Sequence, residues 1–398
     1  MKKIKSFTKD NYNKEEPIII YGASVYGEIA YYALKEMGIL PDYYCDQAKE
    51  KQFYFDIPVI RLENLKKMPK ANVIIASADY YNEIAYSLEE VNVEVFHMKE
   101  LLNSNIPEEK LSNRAKEMYA NRQHYMDIVH NRESNNDLVL NRVQFVVSER
   151  CSLKCRDCTH LMQYYRSPKD IILEEYREAF DLLLDTVSTI AEIRILGGEP
   201  FMNKDMYKVI DWYHDRENIQ SISVYTNGTI IPNETILKSL QKKKVKVHIS
   251  NYGINREKVG ALVDVLKRYN IVFFERKYDA WQDAGNLDFR GYSIDYMKQI
   301  FSHCFERNCL TFLKGQLHRC PRSAHAMNIG AMEIEKKDFV DLLHWKEDKR
   351  KLAEEIKNLL KKEYIEACNY CDGPNNHMQS IQPAIQIKEP LVYRKIGE

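Results

Sequence analysis

The chain reads as an α/β protein: a parallel-sheet domain, then a partial (β/α)6 barrel, then a cysteine-rich tail. Three observations predict this. Short apolar runs alternate with amphipathic helical stretches over most of the first 300 residues. Glycine-bearing turns close several of the predicted strands. Five of the nine cysteines fall beyond residue 300.

In residues 1–102, Pro17–Tyr21 is a short apolar run that predicts a buried strand, and Val25–Met37 is a helix pattern ended by Gly38. Tyr43–Cys45, Val73–Ala76 and Val93–Phe96 predict further strands, with a helical stretch around Tyr80–Glu90. Residues 103–140 are polar and helix-prone, and read as a linking segment. The alternation resumes over 141–300. Val143–Ser148, Glu192–Leu196, Ser221–Tyr225, Val245–Ser250 and Ile271–Phe274 are the strands. Leu173–Thr186, Lys204–Arg216, Thr235–Gln241 and Glu257–Tyr269 are the helices between them. In such barrels the chemistry sits at the C-terminal ends of the strands. Residues 301–398 form the tail, where Lys346–Lys362 predicts a charged surface helix.

At 398 residues the chain is too long for one ordinary core. Lys plus Arg and Asp plus Glu are each 58, so no basic excess marks a nucleic-acid partner. Met1–Phe7 is basic, but no apolar signal core follows, and Ile18–Ile20 is too short to span a bilayer. A cytoplasmic enzyme is expected. Clustered cysteines in such a chain point to metal or redox chemistry rather than disulfides.

Cys151-Ser-Leu-Lys-Cys155-Arg-Asp-Cys158 follows the first barrel strand. Three thiolates on one short loop can hold three irons of a four-iron four-sulfur cluster, at about 2.3 Å each. The fourth iron is left open, and S-adenosylmethionine (SAM) can chelate there. A zinc site completed by His160 is the alternative. Gly197-Gly198-Glu199-Pro200 ends the second strand, Thr226-Asn227-Gly228 the third, and Ser250-Asn251 the fourth.

In these motifs residues 141–300 resemble the radical SAM superfamily. The resemblance implies that Cys151, Cys155 and Cys158 hold the cluster. It implies SAM contacts from Gly197, Gly198, Glu199 and Pro200, and from Thr226, Asn227, Ser250 and Asn251. Its product is a 5′-deoxyadenosyl radical, and a flavodoxin- or ferredoxin-type donor supplies the electron.

The tail carries Cys304, Cys309, Cys320, Cys368 and Cys371, with Gly315 suited to a tight hairpin. The pattern resembles the twitch form of the SPASM auxiliary domain, which implies a second four-iron cluster. One cysteine is surplus. Cys304 is the favoured first ligand, with Cys309 as its alternative, and a zinc ribbon is the competing reading. The leftover Cys309 is then a buried inert thiol or a hydrogen donor. Tyr278, Trp281, Asp283 and Arg290 follow the fifth strand and are candidates for a substrate pocket.

Tyr21-Gly22-Ala-Ser24-Val-Tyr-Gly27 approaches the dinucleotide fingerprint, with Ser24 in place of the middle glycine and Asp46 near the ribose-binding position. The first domain resembles the Rossmann-like domains attached to sugar-modifying enzymes. Together the resemblances imply an enzyme like 2-deoxy-scyllo-inosamine dehydrogenase, acting on a sugar-like or cyclitol alcohol, nucleotide-linked ones included. An epimerase using Cys309, a peptide maturase and a zinc-stabilised binding module are the alternatives.

Overall fold

The computed structural model describes residues 4–46, 52–78, 80–120, 122–123, 125–126, 128–130, 138–375 and 378–395. The chain divides into two compact units, Met1–Asn141 and Arg142–Glu398.

The first unit is built on a seven-stranded sheet in the order β1-β7-β6-β2-β3-β5-β4. Its strands are β1 (Lys5–Ser6), β2 (Ile18–Tyr21), β3 (Tyr43–Cys45), β4 (Phe53–Tyr54), β5 (Ile57–Ile60), β6 (Asn72–Ile75) and β7 (Glu94–His97). All pairs are parallel except β4 with β5. β2 and β6 are buried on both faces, which explains their unbroken apolar runs. The helix Val25–Glu36 buries Ile29, Ala30, Ala33 and Leu34 against the sheet. Its first turn carries Glu28, whose carboxylate accepts from the Ser112 backbone N–H at 2.6 Å and hydroxyl at 2.9 Å. The described part of the predicted linker belongs to this unit: Ala115, Tyr125, Ile128 and Val129 lie in its core. The Tyr125 hydroxyl also donates to the Ile75 carbonyl at 2.6 Å.

The second unit holds an eight-stranded sheet in the order β12-β11-β10-β9-β8-β14-β15-β16. The strands are β8 (Val139–Ser148, which begins in the first unit), β9 (Thr189–Gly197), β10 (Ile219–Thr226), β11 (Val245–Asn251), β12 (Phe273–Lys277), β14 (Leu310–Leu313), β15 (Gln316–His318) and β16 (Phe339–Asp341). A separate ribbon pairs β13 (Trp281–Gln282) with β17 (Ser380–Ile381). β12–β11, β11–β10, β10–β9 and β8–β14 pair parallel. The sheet is not closed, so the architecture is a partial (β/α) barrel. Its sixth strand is β14, which comes from the cysteine-rich tail and lies beside β8. The Lys314-Gly315 turn that follows has φ of 48° and 81°, the left-handed pair a two-residue hairpin needs. A Cβ on Gly315 would also meet Leu343 Cβ at 2.6 Å.

Helices cover the sheet where the periodicity predicts them. Arg177–Thr186 buries Ala179, Phe180, Leu183 and Leu184. The rings of Phe145 and Phe180 sit 4.8 Å apart, and Phe312 of β14 is 5.0 Å from each. Lys349–Lys361 is capped by Asp348, which accepts from the Arg350 and Lys351 N–H groups at 2.9 and 3.0 Å. Beneath its charged face, Leu352, Ile356, Leu359 and Leu360 are buried. No described helix is long and apolar enough to cross a membrane.

Candidate active site

The C-terminal ends of β8 to β11 present the motif residues on one edge of the sheet. The loop leaving β8 is anchored first. The Ser148 hydroxyl donates to Asp170 at 2.7 Å and accepts the Arg150 N–H at 3.0 Å, and Arg150 pairs with Asp170 at 2.8 Å. The end of β9 then docks on this loop. The Gly198 N–H donates to the Ser148 carbonyl at 2.9 Å and the Glu199 N–H to the Arg150 carbonyl at 2.8 Å.

This contact explains both glycines. A Cβ at Gly197 would meet the Ser148 carbonyl oxygen at 2.2 Å, and one at Gly198 would meet the Arg150 oxygen at 2.3 Å and Cys151 Cβ at 2.8 Å. The glycines let β9 approach the cysteine loop itself, where the sequence suggested only an approach to a ligand. Pro200 opens a short 3-10 turn, Pro200–Met202, where its missing N–H costs nothing.

Glu199 is fully buried. Its carboxylate accepts from the Thr226 hydroxyl at 2.8 Å, the Asn227 N–H at 2.8 Å and the Phe201 N–H at 3.2 Å. Burial pushes its pKa up to about 7, against the pull of those hydrogen bonds. Glu199 thus ties the ends of β9 and β10 together. Asn227 in turn reaches the thiol loop, its amide nitrogen 3.6 Å from Cys151 Sγ and 3.1 Å from Ser152 Oγ. Asn251 donates to Glu275 at 2.6 Å and accepts the Gly253 N–H at 2.8 Å. Ser250 hydrogen-bonds Tyr252.

Cys151, Cys155 and Cys158 pack in one small cluster with Leu153, Tyr252 and Trp281. Burial raises all three thiol pKa values, Cys155 up to about 12, and the thiols add to this by mutual repulsion. Tyr252 stands 5.6 Å from Tyr278 and 5.2 Å from Trp281, ring to ring. Of the four candidate pocket residues, Trp281 therefore packs with the thiols, and Tyr278 reaches them through Tyr252. Asp283 accepts the Gly285 N–H at 2.8 Å and its charge acts on Arg156. Arg290 is engaged elsewhere, with Asp372 at 2.5 Å.

A segment without a sequence signal completes this edge. Residues 384–388 run antiparallel to the thiol loop and bridge it at Cys155 and Gln386. The Arg156 N–H donates to Ile385 O and the Ile387 N–H to Lys154 O, each at 2.8 Å. The Gln386 side chain accepts the Lys154 N–H at 2.8 Å and donates to Cys155 Sγ at 3.3 Å.

The second set assembles from three segments. Cys304 ends the helix Ile294–His303, Cys320 caps the helix Pro321–Asn328, and Cys368 lies within the 3-10 turn Glu366–Tyr370 that Cys371 closes. Cys304 and Cys368 each feel the repulsion of both Cys320 and Cys371. Asp338, fully buried, holds the 3-10 turn by accepting the Glu366 and Ala367 N–H groups at 3.1 and 3.0 Å.

Cys309 is linked to this gathering through Glu306, which acts on Cys304, Cys309 and Cys320 alike. Its neighbours are Glu306, Arg142 and Arg194, and the strand it precedes starts level with Val143. His318 is buried and accepts or donates one hydrogen bond, to Gln316 at 3.1 Å.

The thiols are neighbours without being gathered round one ion-sized point: among the described residues, no group of three or more His, Cys, Asp or Glu side chains is set to hold a single metal ion. All-thiol donor sets of three and four are the chemistry that iron–sulfur clusters use.

In the first unit, the Gly22 turn is filled by protein. Asp46 accepts the Ala23 N–H at 2.8 Å. A Cβ at Gly22 would meet Ala76 O at 2.5 Å, and one at Gly27 would meet Gly22 O at 2.0 Å. Strand and helix packing account for these glycines.

Comparison with known proteins gives the same motif region a family. The Radical SAM superfamily model matches residues 145–301. The GTP 3′,8-cyclase of Aquifex aeolicus is 23% identical over 231 residues, covering 55% of this chain and 63% of that protein. The GTP 3′,8-cyclase of Clostridium acetobutylicum is 34% identical over 106 residues, covering 26% of this chain and 32% of that protein. The chain thus spans less than two thirds of these relatives, and they are cyclases rather than dehydrogenases. The solved structure of BtrN in complex with AdoMet and 2-DOIA aligns over 63% of this chain and 98% of that one, at 15% identity and a TM-score of 0.37. Residues 145–301 are thus similar to the radical SAM superfamily, a likeness that implies SAM and one four-iron four-sulfur cluster.

Proposed function

We propose that the chain oxidises an alcohol of a sugar-like or cyclitol substrate, nucleotide-linked ones included, by radical chemistry. Cys151, Cys155 and Cys158 hold the first cluster and leave one iron to SAM. Cys304, Cys320, Cys368 and Cys371 hold a second. When bound, these groups supply a 5′-deoxyadenosyl radical that takes a hydrogen atom from the carbinol carbon. A cluster held by Cys304, Cys320, Cys368 and Cys371 would supply the acceptor for the one electron that, with loss of the hydroxyl proton, turns the substrate radical into a ketone. A flavodoxin- or ferredoxin-type protein supplies the electron that starts each cycle, and no nucleic acid is involved.

The roles of the protein's own residues follow from their bonds. Glu199 fixes the ends of β9 and β10 so that the backbone of Gly198 and the side chain of Asn227 border the thiol loop. Gln386 covers Cys155 and keeps water from one side of it. Tyr252, Tyr278 and Trp281 offer aromatic faces of the kind that stack on sugar rings.

One observation carries this reading: thiols from three distant segments come within range of one another, Cys304 and Cys368 each acting with both Cys320 and Cys371. A converged set of four supports an electron acceptor. The epimerase alternative needs Cys309 beside the substrate, and its thiol is buried beside Glu306, Arg142 and Arg194.

The test is a product balance. Reconstituted, reduced protein is incubated with SAM and a panel of sugars and cyclitols, and 5′-deoxyadenosine is quantified against ketone. A one-to-one ratio is expected. Cleavage of SAM with no ketone from any member would overturn the reading.

A further inference from the structure

Between the first thiol set and the helix Pro321–Asn328 lies a group of buried polar side chains that the proposed chemistry has not used. Arg322 is 5% exposed and His325 fully buried. Three residues apart, they share a face of the helix. The His325 ring is 5.7 Å from His160, two residues past Cys158, and the Arg322 charge acts on the Cys158 thiol. Arg322 Nε, His325 Nε2 and His160 Nε2 are buried without a hydrogen-bond partner.

A hydrogen-bond chain fixes which hydrogen His325 offers. The Lys314 ammonium can only donate, and it donates to Glu149 at 2.7 Å and to Asn328 Oδ1 at 2.8 Å. Asn328 therefore turns its amide nitrogen to Glu149 at 2.8 Å and to the Tyr165 oxygen at 2.9 Å. With that oxygen accepting, the Tyr165 hydrogen goes to His325 Nδ1, 2.7 Å away. A neutral imidazole accepting at Nδ1 carries its hydrogen on Nε2. Burial keeps the ring neutral, its pKa far below the usual value. His325 Nε2–H is thus a fixed donor with no acceptor among the described residues.

Arg322 adds a charge. Its guanidinium donates to the Gly285 and Asn286 carbonyls, and no carboxylate among the described residues pairs with it. Its direct hydrogen-bond partners are neutral carbonyls, the nearby Cys158 thiol offsets only part of its charge, and a buried unused donor is costly. One acceptor that carries negative charge would relieve both.

We infer that Arg322 and His325 Nε2–H bind an oxyanion group, a carboxylate or phosphate, on the substrate. This rests on the proposed function, in which a sugar-like molecule lies beside Cys158. It adds that the molecule is acidic, a sugar acid or sugar phosphate rather than a neutral sugar.

The test reads binding without turnover. The full chain, reconstituted with iron and sulfide and loaded with SAM, is titrated calorimetrically with glucuronate, glucose 6-phosphate and glucose at constant ionic strength. At least one anionic probe should bind about tenfold or more tighter than glucose, the gain expected of hydrogen bonds to a charged group. Which one binds separates carboxylate from phosphate. Arg322→Gln should bring that probe to the glucose level, Arg322→Lys should restore part of the gain, and His325→Phe should weaken it several-fold. Equal binding of all three probes, or no binding of either anionic probe at millimolar concentration, overturns the inference. So does a case in which Arg322→Gln loses iron but keeps the anion-to-neutral ratio, because Arg322 then only offsets the charge of nearby thiolates. The wild-type series needs no variant to fold. Production of 5′-deoxyadenosine is measured separately: its absence would overturn the radical reading and leave the binding result standing.

Discussion

The two thiol sets differ in how they are built. Cys151, Cys155 and Cys158 share one loop, whose shape is imposed by the docking of Gly197 and Gly198 on Ser148 and Arg150. Cys304, Cys320, Cys368 and Cys371 come from a helix end, a helix cap and a 3-10 turn. The first set exists as soon as its loop folds. The second exists only when three segments have packed, with Asp338 and the β14–β15 hairpin holding them. A contiguous set is robust to changes elsewhere, and a dispersed one is not.

That contrast can be broken most sharply by single thiol changes. Cys155→Ala should drop iron from about eight to about four per chain and abolish SAM cleavage, with the second set still loaded. Retention of all the iron would mean that the loop is not a cluster site. Cys304→Ala should remove the other four or so irons and uncouple SAM cleavage from ketone formation. Cys309→Ala should keep full iron and cost about 1 kcal/mol of stability. Iron loss in Cys309→Ala rather than Cys304→Ala would exchange their roles.

A smaller effect sharpens the account of the first set. Glu199 has an ordinary pKa of 4.5 and a folded value of about 7. A raised acid contributes stability that is complete below about 4.5 and lost as pH rises through about 7. For the metal-free chain this amounts to roughly 3 kcal/mol, and urea unfolding across that window should show the decline in wild type and a flatter profile in Glu199→Gln. Gln386→Leu removes an N–H donor from Cys155, so the potential of the bound cluster should move negative in an electron paramagnetic resonance titration, with iron unchanged. The least effect belongs to the first unit: Asp46→Ala should cost about 1 kcal/mol by freeing the Ala23 N–H, with SAM cleavage intact.

Local patterns made much of this molecule legible. The apolar runs of β2, β6 and β8 to β11 announce buried parallel strands, and the spacing of Cys151, Cys155 and Cys158 announces a shared loop. The Gly315 hairpin was equally readable, because a left-handed turn needs glycine. What could not be read depends on distance along the chain. Gln386 meets Cys155 from 231 residues away, and Tyr165 meets His325 from 160. No periodicity or motif marks such partners. No pattern ranks Cys304 against Cys309 for the same reason, since both lie near the hairpin in sequence and beside Glu306 in the fold. Arg290 follows the fifth strand, as the other candidate pocket residues do, and pairs with Asp372 beside Cys371, a partner that lies 82 residues on and that no local pattern marks.

The segment that crosses the thiol loop also sets an order of events during synthesis. Cys155 leaves the ribosome 231 residues ahead of Gln386. At ordinary elongation rates of about 5–20 residues per second, that interval lasts roughly 10 to 50 seconds. Throughout it the nascent loop stands uncovered on one side, open to iron delivery and equally to oxidants, until the later strand arrives and shuts the door.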